Sequence, residues 1–159
     1  MAPDAAIAKR APIYNPSMID RATLLTLMPH QGAMCLWDRV ESWDTARIRL
    51  CTASHLDPRN PLRAGGRLHA VHLCEYGAQA MAAHGGLLAR ATGGTARAGL
   101  LVALRGVDLR VARIDDLPGE LACEADLLAA GAGSQQYAFR IVHRDHAIAE
   151  GRAAVILPP

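Results

Sequence analysis

The stretch from Leu68 to Ala91 limits what this chain can become more than any other. Apolar and small residues recur through it at three- and four-residue steps, which predicts one long helix over Leu68 to Ala91, closed by Gly93-Gly94. A helix on the surface of a small protein needs a polar face, and this one has almost none. The rest of the chain supplies the cover. Ahead of the helix, Ala33 to Trp43 and Thr45 to Ala53 are rich in strand formers. After it, the period changes, with strands expected at Leu100 to Val111, Gly119 to Ala130, Gln135 to His143 and Ala147 to Leu157. Turn signals at Asp115 to Gly119, Gly131 to Ser134 and Arg144-Asp145 make these strands antiparallel neighbours. The fold class is therefore α+β, with a curved antiparallel sheet wrapped around one central helix.

Two smaller features complete the layout. Asp20 can cap a short helix over Arg21 to Leu27, ended by Pro29, and His55 to Arg67, with two prolines and a glycine pair, is a loop that delivers the chain to the long helix. Residues 1–19 are expected to be a loose N-terminal arm and 20–159 one domain.

Within the helix stands Glu75. Leu68, Val71, Glu75, Ala78 and Ala82 share a face that reads as core, and a carboxylate buried there without a partner would be pushed toward its neutral, proton-donating form. The alternative is that Glu75 lies at a helix edge and reaches water. Gln79, one turn on, can either hold that carboxyl group or satisfy buried backbone.

Composition narrows the class of function. A net charge of +2, dispersed and with Lys9 as the only lysine, gives no basic run for nucleic acid. No segment has the length and apolarity of a membrane helix or of a signal peptide's core, and Cys35, Cys51, Cys74 and Cys123 form no C-x-x-C pair, so a cytoplasmic protein with free thiols is expected. His69, His72 and Glu75 have a His-x-x-His-x-x-Glu spacing, but six residues separate the outer two and turn them to different faces. Neither a metal nor a cofactor is expected.

Leu27-Met-Pro-His-Gln-Gly-Ala-Met-Cys-Leu-Trp-Asp-Arg-Val40 resembles the opening motif of bacterial (3R)-3-hydroxyacyl-acyl carrier protein dehydratases. Glu75-Tyr-Gly-Ala-Gln-Ala80 resembles the E-A-x-A-Q-A segment of their central helix. The resemblance runs in order from about Ala22 to Leu157 and is closest to the dehydratase-like branch found with aryl polyene and related lipid biosynthesis systems. It implies the hotdog fold and an acyl thioester substrate on acyl carrier protein or CoA. It also implies a homodimer or a heterodimer with a related hotdog subunit; from the charge and hydropathy above, no nucleic acid and no membrane is expected as partner. In that family a histidine from one subunit and the helix glutamate from the other face the acyl chain and eliminate water. Glu75 takes the glutamate's place. Backbone N–H groups from Gly65 and Gly66 to His69 would receive the thioester oxygen, and Gln79 would orient Glu75; His69 and His72 either line the pocket beside Glu75 or stand in solvent at the helix start.

One element of the pattern is missing. The family's histidine opens an H-F-P-G-x-P motif, and counting back from Glu75 puts Pro61 there, flanked by Asn60 and Leu62. His30, in the shared Pro-His pair, is the first substitute; its other reading is a cap on the short helix. A subunit that pairs with an active dehydratase, and a thioesterase, are the competing functions. Arg59, Arg63 and Arg67 could meet a phosphate or an acidic carrier, or could simply be solvated. His55, His84, His143 and His146 read as surface residues.

Overall fold

A computed structural model describes residues 18–159; the expected arm at 1–19 lies almost wholly outside them. Strand β1 (Ile19–Asp20) leads into helix α1 (Arg21–Leu27), and Asp20 caps it as expected, its carboxylate accepting the Thr23 N–H at 2.9 Å. Gln31 closes the other end, its side-chain amide donating to the Leu25 and Met28 carbonyls. Strands β2 (Arg39–Trp43) and β3 (Arg47–Thr52) form a hairpin, and α2 (Leu73–Ala91) follows a short 3-10 turn at Ala70–His72. Then come β4 (Leu100–Leu109), β5 (Leu121–Ala130), β6 (Ser134–His143) and β7 (His146–Ile156).

All seven strands make one antiparallel sheet in the order β1-β2-β3-β5-β6-β7-β4. Bulges interrupt the β2–β3, β4–β7, β5–β6 and β6–β7 ladders and give the extra twist that lets the sheet curl around α2. The α+β class is as the change of period indicated.

The long helix begins later than its sequence period suggests. Leu68 N–H is captured by the Asp115 carboxylate at 2.8 Å and Ala70 N–H by the Ala112 carbonyl at 3.0 Å, so the chain stays extended where Leu68 and His69 were expected to be helical. At the other end the glycine pair acts as expected. Gly93 has φ +75°, its N–H bonds Arg90 and the Gly94 N–H bonds Ala89, a Schellman closure.

Leu73, Tyr76, Ala80, Ala83 and Leu87 form the buried face of α2. Phe139, the sole phenylalanine, fits against that helix because Gly77 has no side chain: a Cβ there would lie 2.8 Å from the ring. Gly86 likewise brings α2 against α1, since a Cβ would sit 2.5 Å from the Leu27 carbonyl oxygen. Trp37 and Tyr76 meet edge to face, and the indole N–H donates to the Tyr76 carbonyl at 2.9 Å.

His55 and His84 are buried, contrary to the surface placement expected from their sequence positions. His84 Nδ1 lies 2.9 Å from the Tyr137 hydroxyl and Nε2 lies 2.7 Å from the Asp44 carbonyl, so the neutral ring is fully paired between α2, β6 and the β2–β3 turn. His55 Nε2 meets the Leu117 carbonyl at 2.9 Å. Burial pushes the pKa of both rings down.

Candidate active site

The face of α2 that carries Glu75 is a groove floor rather than core. Glu75, Ala78, Ala82, Gly85 and Ala89 lie along one side of the helix, and their small side chains leave a groove of about 500 Å³ between α2, α1 and the β4, β6 and β7 end of the sheet. At 1.5 Å per residue the stripe runs roughly 21 Å from Glu75 to Ala89. Leu27, Met81 and Val155 add apolar walls. Of the two readings of Glu75, a buried face and a helix edge that reaches water, the structure lies nearer the second: Glu75 faces this groove with about a third of its side chain exposed, because alanine and glycine neighbours cannot cover it, and Val71, expected on the same buried face, is exposed.

His30 stands at the same end. Its Nε2 is 3.4 Å from Glu75 Oε1, and its Nδ1 is buried with no hydrogen-bond partner in the structure. Gln31, rather than His30, performs the helix capping, and with Arg21 donating to the Gly32 carbonyl at 2.8 Å it fixes the turn that aims His30 at the groove.

Gln79 hydrogen-bonds both buried backbone and the Glu75 carboxyl group. Fully buried, it accepts the Leu36 N–H at 2.9 Å through Oε1 and donates through Nε2 to the Met34 carbonyl at 2.7 Å and to Glu75 Oε1 at 3.1 Å. Two backbone groups fix which way the amide points, so an N–H, and not an oxygen, faces Glu75. The carboxylate oxygen therefore sits between an amide donor and an imidazole. The imidazole and the carboxyl group thus stand side by side at the end of an apolar trough, an acid–base pair beside space for an apolar chain.

Other candidates lie elsewhere in the chain. Gly65 and Gly66 form the two central residues of an exposed turn, at φ +57° and +75°, between Ala64 and Arg67, which exchange both backbone hydrogen bonds. His69 is exposed, His72 lies partly exposed in the 3-10 turn, and neither lines the groove. The N–H of Leu68 already serves Asp115, a group that would repel an oxyanion. Asn60 is a loop staple: it donates to the Ser54 carbonyl and the Tyr76 hydroxyl and accepts from Leu62 N–H. Arg59 pairs with Asp57, and Arg63 donates to the carbonyls of His55 and Gly66. Among the described residues no cluster of three or more metal-ligating side chains occurs, and no helix is long and apolar enough to cross a membrane.

A family model described as ApeP dehydratase matches residues 22–159. The chain belongs to the ApeP-like dehydratase family. Among solved structures, the dehydratase heterocomplex ApeI:P from Xenorhabdus doucetiae superposes with a TM-score of 0.78 at 18% identity, over 86% of this chain and 91% of that one. A putative thioesterase from Silicibacter sp. TM1040 gives 0.61 at 14% identity over 89% and 93% of the two chains. A hypothetical thioesterase with coenzyme A from Streptococcus pneumoniae gives 0.55 at 12% identity over 75% and 84%. No curated protein sequence matches the chain. At these identities the superpositions establish the fold, which is the hotdog fold, and membership of the ApeP-like family makes this a dehydratase-like protein.

Proposed function

We propose that the groove binds the acyl part of a 3-hydroxyacyl thioester, carried on acyl carrier protein or CoA, and that Glu75 and His30 carry the elimination of water at its polar end. The observation that carries this reading is the Glu75–His30 approach of 3.4 Å at the mouth of an apolar trough. The base takes the C2 proton, made acidic by the thioester, while the carboxylic acid of Glu75 protonates the C3 hydroxyl. The C2–H and C3–O bonds break, C2=C3 forms, and the hydroxyl leaves as water. Gln79 holds the carboxyl group at the angle this transfer needs.

Pairing with a second hotdog subunit is part of the proposal. Among the described residues β4 closes one edge of the sheet with no neighbour beyond it, and Leu101 of that strand also lines the groove, so a strand added there borders the acyl chain. The ApeI:P neighbour is itself a heterocomplex. The loop position of the family's histidine, with Pro61 exposed and Asn60 stapled, supports a second reading, in which this subunit contributes Glu75 while its partner contributes the histidine.

Incubating the pure chain with a 3-hydroxyacyl carrier thioester separates these readings. Enoyl product from the chain alone supports the Glu75–His30 site. Product that forms only after an active hotdog dehydratase subunit is added, and that disappears with Glu75→Gln, supports the shared site. Release of free thiol replaces both with a thioesterase.

A further inference from the structure

Residues 95–99 join α2 to β4 and form a wall of the groove at the end away from Glu75. Thr95, Ala96, Arg97, Ala98 and Gly99 all line it, beyond Ala89 of the helix. The segment has neither helical nor strand structure, and residues 91–100 are all exposed. Among the described residues, none of 95–98 takes part in a backbone hydrogen bond of the loops and turns. A stretch with so few fixed backbone bonds opens at low cost, so the wall it builds is only as firm as its side-chain attachments.

One side chain supplies most of that attachment. Arg97 Nε donates to the Pro158 carbonyl at 3.1 Å, and one terminal nitrogen donates to the Ala132 carbonyl at 3.1 Å. The other terminal nitrogen donates to the Leu157 carbonyl at 2.8 Å and also to that of Pro158. Ala132 lies in the β5–β6 turn and the other two residues follow β7. Leu157 N–H bonds the Gly133 carbonyl at 2.9 Å, so the guanidinium grips a corner that is itself closed. Arg49, Arg110 and Arg140 on the sheet find carboxylates, whereas Arg97 has no ion-pair partner among the described residues. Its planar fork is spread over neutral carbonyls, which fixes geometry rather than charge.

At the β4 end the segment lies directly on β7. A Cβ at position 99 would sit 2.7 Å from Val155 Cγ1, so the close approach depends on Gly99 having no side chain. Val155 is a groove wall in its own right. Residues 95–99 are thus a strap, anchored in its middle by Arg97 and seated at one end by Gly99.

We infer that Arg97 is the latch that holds this strap as the distal wall of the groove, and that it thereby sets the preference for long acyl chains over short ones. This rests on the acyl-groove reading above and adds the residue that determines chain length. A short chain ends near Glu75 and never reaches the strap. A long one runs past Ala89 and is covered by residues 95–99. With its donors turned to carbonyls, Arg97 acts by positioning the strap and not by binding the chain end.

The test measures binding rather than turnover, with the full chain alone and together with an active hotdog dehydratase subunit. Calorimetry compares S-hexadecyl-CoA, kept below its micelle concentration, with S-butyl-CoA; both are thioethers that cannot react. Uncovering about two methylene groups weakens binding roughly ten-fold, so Arg97→Ala should narrow the preference for the hexadecyl ligand by that factor. Arg97→Lys, which reaches fewer carbonyls, should fall between the two. Gly99→Ala keeps the latch but lifts the strap from Val155, and should narrow the preference by this separate route. Amide hydrogen exchange of residues 95–98 should quicken in Arg97→Ala, and in the wild type it should slow with the hexadecyl ligand more than with the butyl one. Unchanged exchange in Arg97→Ala would show that Arg97 is no latch. Quickened exchange with an undiminished hexadecyl preference would show that the strap does not meet the chain, and either result overturns the inference while leaving the groove reading in place. A wild type that binds neither ligand, alone or with the second subunit, overturns the groove reading and the inference with it.

Discussion

Replacing Gln79 with leucine tests how Glu75 is held. The two side chains are similar in volume, so the change removes three hydrogen bonds with little change in packing. Leu36 is fully buried, and its N–H loses the acceptor at 2.9 Å with no water to replace it. An orphaned buried donor costs about 1–3 kcal/mol. The Met34 carbonyl loses a donor at 2.7 Å but is only partly buried, so it adds less. The sum is about 2–4 kcal/mol, a large part of the 5–15 kcal/mol typical of a domain. For a chain of this size that lowers Tm by roughly 5 to 15 °C. Urea unfolding monitored by circular dichroism gives the free energy. Turnover of the folded variant gives the second readout, because loss of the 3.1 Å bond to Glu75 frees the carboxyl group to swing. A variant that unfolds within about 0.5 kcal/mol of wild type would refute the bridging role, since a buried N–H left unpaired cannot be that cheap.

Three further outcomes follow from the same geometry. His55 and His84 titrate lower folded than unfolded, so the unfolded chain binds more protons as pH falls below about 6.5 and stability declines there; a urea midpoint unchanged between about pH 7.5 and 5.5 would contradict their burial. Gly86→Ala drives a methyl group into the Leu27 carbonyl and should cost about 1–3 kcal/mol, whereas Gly85→Ala, with nothing within 4 Å, should gain about 0.5–1 kcal/mol; thermal unfolding reads both signs. Gly85→Phe fills the groove roughly 15 Å from Glu75, so four-carbon thioesters should keep their turnover while long-chain ones lose it, and equal loss for both would show that the acyl chain runs elsewhere.

What could be seen in the sequence was local. The α1 cap, the Schellman glycine pair and the strands after the helix are set by neighbouring residues, so periodicity and turn chemistry found them. The misplacements depend on contacts far along the chain. Leu68 is held extended by Asp115, 47 residues on, and no propensity at Leu68 reports that. His55 sits in a short turn and His84 in the middle of α2, and both read as surface residues in the sequence, yet Leu117 and Tyr137, 62 and 53 residues away, satisfy them inside. Glu75 was legible as the odd residue in an apolar helix. That its face floors a groove was not, because alanine and glycine give the same apolar signal whether they pack tightly or leave space. The His30 approach follows from the turn fixed by Gln31 and Arg21, and only the shared Pro-His motif hinted at it.

The central claim is that Glu75 delivers the proton at the polar end of the groove. Its most direct test is the reverse reaction, hydration of a 2-enoyl thioester in D2O, followed as deuterium appearing at C2 and performed with the chain alone and with an active hotdog dehydratase subunit. Glu75→Gln keeps the size and the hydrogen bonding of the side chain but cannot transfer a proton, so the rate should fall by about 10² or more in whichever assembly is active. Hydration that continues at the wild-type rate in Glu75→Gln would show that the chemistry belongs to another group.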